Sequence, residues 1–426
     1  MFTTRSSGAL LEVATQHVAL DKPGNGDARS RWSRKRATAS DFTIILNDIM
    51  PRLPSVVNDN DRLLTIVSNM STNVFSPLVH ARVFPENLRL SYLKLWYNVT
   101  KISQASKIWK KDIIEALNHA KLFSTPFELV KPGWLPVFKQ LLLNDKDRLN
   151  EIATRILPPT SAGNIFGVGA SAARLDADKK TQLNLRRIVL LLMSAEKDYA
   201  SSSYSMIEDK LSELINASTA SSPSAATRAE VFMVIRALLL KMSHIHLASL
   251  WPIVTAELQR AISSSLSRGL DYDLYNGLCL IQACKLLDLL LVVAPDDFQM
   301  HEWLFITDTI EAVYRPGHWD PVALVDDIAE ELGSAEPTSA YPGTELTPMM
   351  SSTRRGARMK MPLLTVTGKE VVEASKPEIV QRLLRPWFAQ LSIQAFEATY
   401  GMLEVDWEAC EDALLRDVFD DSTLVG

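Results

Sequence analysis

The sequence has too few cysteines to staple a fold: Cys279, Cys284 and Cys410 are an odd number with no CxxC pair. That excludes a disulfide framework and fits a reducing compartment. Cys279 and Cys284 lie inside an apolar helical run, where Cys acts as a small core residue. Excess positive charge is also lacking. Lys and Arg number 45 against 50 Asp and Glu, a net charge of −5, which argues against bulk electrostatic binding to nucleic acid. Long apolar runs are missing as well. The longest, Leu286 to Ala294, contains Asp288 and falls far short of the ~20 residues that span a bilayer. The opening MFTTRSSGAL has no charged region followed by a long apolar one, so no secretory leader is expected. The sequons at Asn69, Asn98 and Asn216 then read as chance matches. Strand signals are almost absent, with only Leu363 to Thr367 reading as a short extended piece.

What is present is helical periodicity. A hydrophobic share of 47% with 22% charged residues is that of a globular chain, and 426 residues exceed what one compact core usually serves. Residues 1–40 read as a flexible basic arm, with Arg29, Arg31, Arg34, Lys35 and Arg36 around Trp32. N-terminal helical repeats are expected over 41–157, opening on Asp41 as an N-cap, with Pro51 and Pro54 ending the first helix. Helices follow from Asp59–Asp61 to about His80, from Pro85–Glu86 to about Ser103, over Lys107–Lys121 and over Lys146–Ile156. Residues 158–173 carry Pro158, Pro159, Gly163, Gly167 and Gly169 and read as a linker loop.

Central repeats are expected over 174–332. In one helix Val231, Val234, Ile235, Leu238, Leu239 and Met242 recur at steps of three and four and build one apolar face. A second helix is expected over Leu247–Leu266. A third, over about Leu274–Val293, is apolar nearly all round and belongs in an inner layer. Pro295 ends it, Asp296 or Asp297 caps the next helix, and Asp320–Pro321 starts another. Residues 333–368 read as a long loop and 369–426 as C-terminal helices, with Pro386 expected to kink or split the first. Serial helices with breaks about 20 residues apart predict an all-α fold, a helical solenoid of stacked helix pairs like HEAT or armadillo units.

Chemistry-bearing patterns are sparse. Gly167–Ala172 matches G-x-G-x-x-G/A but follows Pro158, Pro159 and a polar turn, whereas a dinucleotide fingerprint needs a strand before it. His244 and His246 sit two apart at a helix boundary without a third ligand at metal spacing, and a capping or core role is expected for them. No catalytic motif is found, so no catalytic residue, cofactor or metal is assigned. The basic clusters are the remaining candidates, since several cations together can hold an anionic head group at about 1 kcal/mol each. They are Arg354, Arg355, Arg358 and Lys360; Lys107, Lys110 and Lys111 beside Trp109; and Lys376, Arg382 and Arg385.

Two blocks carry a family likeness: His246-Leu-Ala-Ser-Leu-Trp-Pro-Ile-Val254, and Ala283-Cys-Lys-Leu-Leu-Asp-Leu-Leu-Leu291 continuing through Phe298-Gln-Met-His-Glu-Trp-Leu-Phe-Ile-Thr-Asp-Thr309. With Asp59–Leu63 and Ser91–Asp112 they resemble the C-terminal region of the Dopey family of large Golgi and endosome trafficking proteins. The resemblance covers roughly residues 41–330 and implies a C-terminal piece of a longer protein. It implies a cytoplasmic location, peripheral on trans-Golgi network and endosome membranes. It also implies partners: an Arf-exchange-factor-like scaffold, a phospholipid flippase and, in animals, kinesin light chain and phosphatidylinositol 4-phosphate. The family's leucine-zipper description fits poorly here, because Leu280 and Leu287 are followed at the next heptad step by Ala294 and then Pro295. The expected function is a non-enzymatic trafficking scaffold that docks protein partners at the membrane, the alternative being a phosphoinositide-binding module.

Overall fold

The computed structural model describes residues 39–157, 170–217, 224–266, 274–307, 323–334 and 359–424. The expected basic arm before residue 39, the linker residues 158–169, the Asp320–Pro321 helix start and loop residues 335–358 lie outside them. The chain divides into two compact units, Met1–Lys146 and Asp147–Gly426. Both are built from helices. A two-residue parallel pair, β1 (Met359–Lys360) with β2 (Glu404–Val405), is the one sheet among the described residues.

In the first unit, α1 (Ala39–Ile49) packs on α4 (Leu90–Thr100), and α4 packs on α6 (Leu135–Asn144). Between them come α2 (Asn60–Met70), α3 (Ser76–His80) and α5 (Ser106–Asn118). The centre is aromatic. Phe75 stacks on Trp96 at 4.8 Å, Trp96 lies 5.7 Å from Trp134, and Trp134 stacks on Phe138 at 5.2 Å. Trp109, also fully buried, donates its indole N–H to the Ile102 carbonyl at 3.2 Å. Asp59 caps α2 by accepting from the Asp61 amide. Pro51 and Pro54 do not stop the chain's helical course, which continues through Met50–Arg52 and Leu53–Val56. Each proline sits in the first turn of its segment, where no N–H is needed. Pro85 does not open a helix either: Phe84–Pro85 is a cis bond in a turn, and α4 starts only at Leu90.

Proline leaves a second mark. Three π-helical turns, Ser71–Phe75, Val130–Trp134 and Val380–Leu384, each run into a helix with Pro at its second position: Pro77, Pro136 and Pro386. A proline inside a helix removes an N–H and pushes its ring against the carbonyl four residues back. Widening the preceding turn accommodates both, so the helix continues. The expected disturbance at Pro386 therefore takes the form of a π turn after Lys376–Ile379.

The second unit begins with α7 (Arg148–Thr154) and α8 (Ala170–Ser194). An inner row is made by α8, α10 (Ala225–Lys241) and α12 (Gly277–Val293), with α9 (Tyr204–Ile215) and α11 (Trp251–Ser263) alongside. The stacking has a measurable register. Polar contacts between successive pairs recur at sequence separations of 44 to 46: Asp178 with Ser224, Gln182 with Thr227, Arg186 with Glu230, Asp198 with Ser243, Arg236 with Gln282, and Trp251 with Asp297. That is the period of HEAT-like repeats. In the first unit Asn47 reaches the Ser91 carbonyl at the same separation of 44.

Helix α10 is not the one-faced helix its spacing predicted. Every residue from Thr227 to Leu240 is buried, because α8, α12, α9 and the C-terminal helix enclose it. Helix α12 is buried nearly all round as expected, and Asn276 caps it through the Cys279 amide. It ends at Ala294 in the left-handed region, with Pro295 rather than an aspartate at the next N-cap and α13 (Asp296–Gln299) beyond. Helix α14 (Leu324–Ser334) packs on α17 (Arg385–Tyr400). The C-terminal part adds β1, α15 (Gly368–Glu373), α16 (Lys376–Ile379), α17, β2 and α18 (Trp407–Val418). Residues 363–367 do not form the expected strand. The amides of Leu363 and Leu364 turn instead to the Asp288 carboxylate at 2.7 and 2.8 Å.

Candidate functional site

The candidate cations fall in both units. Lys107, Lys110 and Lys111 share one face of α5, at i, i+3 and i+4. Trp109 does not accompany them at the surface, since it is buried in the core. Lys110 spends its ammonium on the Asn144 carbonyl at the end of α6, 2.5 Å away, where the helix dipole favours a cation. In the second unit Lys376 donates to the Ser264 hydroxyl at 3.2 Å, and Arg382 pairs with Glu378 at 2.7 Å. Arg385 is half-buried at the first position of α17, and Lys360 is half-buried in β1. Arg354, Arg355 and Arg358 lie outside the described residues. His244 and His246 are neither capping nor core groups. Both are exposed on the 3-10 turn His244–Leu250 behind its N-cap Ser243. Helix α8 begins at Ala170, inside the Gly-rich pattern.

The charges that organise this chain are buried ones that spacing alone did not single out. Arg186 of α8 donates to Glu230 of α10 at 2.8–2.9 Å, to the Val418 and Asp420 carbonyls at 2.9 and 2.8 Å, and to the Thr423 hydroxyl. Arg228 of α10 reaches the Ile215 carbonyl that ends α9, the Ala217 carbonyl, and Glu257 of α11. Arg236 of α10 and Lys285 of α12 converge on the two oxygens of Asp417 in α18, at 2.6 and 2.5 Å. Lys285 also donates to the Val366 carbonyl at 2.6 Å. Each inner helix therefore sends charge to the segment 359–424.

The electrostatics follow from burial and pairing. Burial pushes the Asp417 carboxyl up, but the Lys285 ammonium and Arg236 guanidinium outweigh it and hold the group below the ordinary carboxylate range. Burial wins at Glu230, which is raised despite Arg186. It wins at Asp288 too, pushed up to about 6 although two backbone N–H groups favour its charged form. Burial also raises all three thiols, Cys410 to about 12, so they stay protonated and poorly nucleophilic. Among the described residues no His, Cys, Asp and Glu group is placed to hold a metal, and no helix is long and apolar enough to cross a membrane.

The buried pairs matter chiefly for specificity. A buried ion pair contributes little net stability against an apolar pair of like shape, but removing one partner leaves an uncompensated charge. Helices as uniformly apolar as α10 and α12 could slide along one another. A slipped register would strand Arg236, Lys285 and Asp288, so the matched register is strongly preferred. The sequence signal was there: charged residues inside otherwise apolar helices, as at Arg236 within Val231–Leu240.

The family model described as DOP1 C-terminal matches residues 12–401. Protein dop1 of Emericella nidulans is 47% identical over 392 residues, covering 92% of this chain and 21% of that protein. Protein DOP1 of Saccharomyces cerevisiae is 25% identical over 388 residues, 88% of this chain and 21% of that protein. Protein pad-1 of Caenorhabditis elegans is 24% identical over 325 residues, 71% of this chain and 13% of that protein. The chain thus spans about a fifth of the length of the fungal relatives it matches. No solved structure matches it. With the family model running over most of its length, this chain belongs to the DOP1 C-terminal family.

Proposed function

We propose that this chain is a non-catalytic docking scaffold in trafficking between the trans-Golgi network and endosomes, attached peripherally at the membrane. The observation that carries the reading is the use made of its buried ionisable groups. Arg186, Arg228, Arg236, Lys285, Asp288 and Asp417 are committed to ties between helices, which hold a stack of repeats in one register. A stack so fixed presents a rigid surface to other proteins. Family membership supports the trafficking setting, and the partners it suggests are an Arf-exchange-factor-like scaffold, a phospholipid flippase and kinesin light chain.

The test is retention of those partners on the purified chain at low and physiological salt. Salt-tolerant retention of the exchange-factor-like scaffold is expected. Loss of every partner at physiological salt would contradict the reading. The phosphoinositide alternative has its own outcome in the same design: co-sedimentation with vesicles containing phosphatidylinositol 4-phosphate that is lost when Arg354, Arg355, Arg358 and Lys360 become Ala.

A further inference from the structure

The end of α17 and the turn into α18 carry an unusual surface. Between Arg385 and Arg416 the chain has no Lys, Arg or His, and six Asp and Glu. Apolar side chains stand out along the same stretch. Ile393 and Tyr400 are exposed on α17 with Glu397 between them, at i, i+4 and i+7, so the three share one helix face. Met402 follows at 89% exposure and Trp407 at 50%. The chain path between them is well tied. The Gly401, Met402 and Leu403 amides bond back to the last turn of α17, Glu404 sits opposite the exposed Met359 in the β pair, and the Asp406 amide donates to the Lys360 carbonyl at 2.8 Å. Asp406 caps α18 through the Ala409 amide, and Trp407 is that helix's first residue.

Met402 is the informative residue. Its φ is +47°, in the left-handed region that glycine occupies at lower cost just after a helix. Glycine stands next door at 401 instead. At 89% exposure the Met402 side chain gains no packing that would offset the strain. An exposed, polarisable Met beside exposed aromatics is a common composition of surfaces that receive partner helices. The surrounding exposed charges, Glu397, Glu404 and Glu408, are all negative. An anionic membrane or an acidic peptide would meet repulsion here, whereas a cationic amphipathic helix would find both its apolar and its charged faces matched.

We propose that the surface formed by Glu397, Tyr400, Met402, Glu404 and Trp407 is a docking site for a cationic amphipathic helix of a partner protein. The inference builds on the scaffold reading and names the chemistry of one of its partners. Apolar anchors would seat against Met402 and Trp407, and Lys or Arg of the partner would face Glu397 and Glu404.

The test is fluorescence anisotropy with the full chain at physiological ionic strength. The probe is a labelled amphipathic Leu/Lys helix of roughly 18 residues, about five turns. The same design with Glu for Lys, and a Lys/Gly/Ser peptide of equal charge, are the controls. Saturable binding of the Leu/Lys helix alone is expected. Met402→Ser with Trp407→Ser should weaken it about tenfold or more, as should Glu397→Lys with Glu404→Lys. Asp209→Lys on α9 should leave it unchanged, and circular dichroism should show each variant as helical as the parent. No binding by the parent overturns the proposal. So does equal binding of the Leu/Glu helix, or binding that survives the Met402 and Trp407 changes. If the peptide fails while the trafficking partners are still retained, the scaffold reading stands and its docking surface is elsewhere.

Discussion

In the first unit the centre is a run of rings, Phe75, Trp96, Trp134 and Phe138, and Asp112 is its one buried charged side chain among the described residues. In the second unit the centre is aliphatic, and Arg186, Glu230, Arg236, Lys285, Asp288 and Asp417 are buried within it. Both are helix stacks, yet they are specified differently. Rings fill volume and fix neighbours by shape, an arrangement that salt hardly touches. Buried charges select a register by the penalty of leaving any one of them unmatched. The second kind of specification suits helices that are apolar all round, since shape alone distinguishes poorly between one Leu-rich register and the next.

Two truncations should give the largest effects and separate the two modes. Asp417→Ala strands both Arg236 and Lys285 and should cost about 3–5 kcal/mol in chemical denaturation, with the loss in the second unit. Trp96→Ala should cost a similar amount, about 3–5 kcal/mol, through a cavity among the rings, with the loss in the first unit and little dependence on salt. Loss spread evenly over both units by either change would break the comparison.

A pH effect of intermediate size should arise at Asp288. Its folded pKa of about 6 lies above the ordinary unfolded value near 4. Between those values the folded chain binds the proton and the unfolded chain does not. Stability from this group therefore rises as pH falls through 6, by about 1 kcal/mol between pH 7 and 5. Both backbone donors address the same oxygen, Oδ2, so an amide oxygen can replace it. Asp288→Asn should keep the fold and remove that part of the pH dependence, read from denaturation midpoints at the two pH values. An unchanged pH slope would contradict the assignment. The smallest effect is expected from Arg382→Ala, an exposed i, i+4 pair with Glu378, at below about 0.5 kcal/mol.

Much of this fold was legible in the sequence. Helical spacing, the helix start at Asp59 and the stop at Pro295 located most elements, because those signals act within a few residues. The 44-to-46-residue register was not legible, since its partners follow no consensus and meet only in three dimensions. The buried ties were further out of reach. Arg236 meets Asp417 across 181 residues and Lys285 meets it across 132, so a lone charge in an apolar helix announces that it has a partner without naming it. Proline misled at Pro51 and Pro54, because a first-turn proline and a helix-stopping proline look alike without the neighbouring backbone, and again at Pro85, which sits in a turn rather than at a helix start. The basic clusters were visible by composition, but composition does not show that Lys110 and Lys376 already face partners within the chain.

Backbone hydrogen exchange, followed segment by segment in the parent chain and in Asp417→Ala, tests the central claim that buried charge locks residues 359–424 to the inner helices. In the parent, 359–424 should share the protection of α10 and α12. In the variant, protection should fall together in 359–424, α8, α10 and α12, while residues 39–146 keep theirs. Rapid exchange of 359–424 in the parent, or unchanged protection there in the variant, would contradict it.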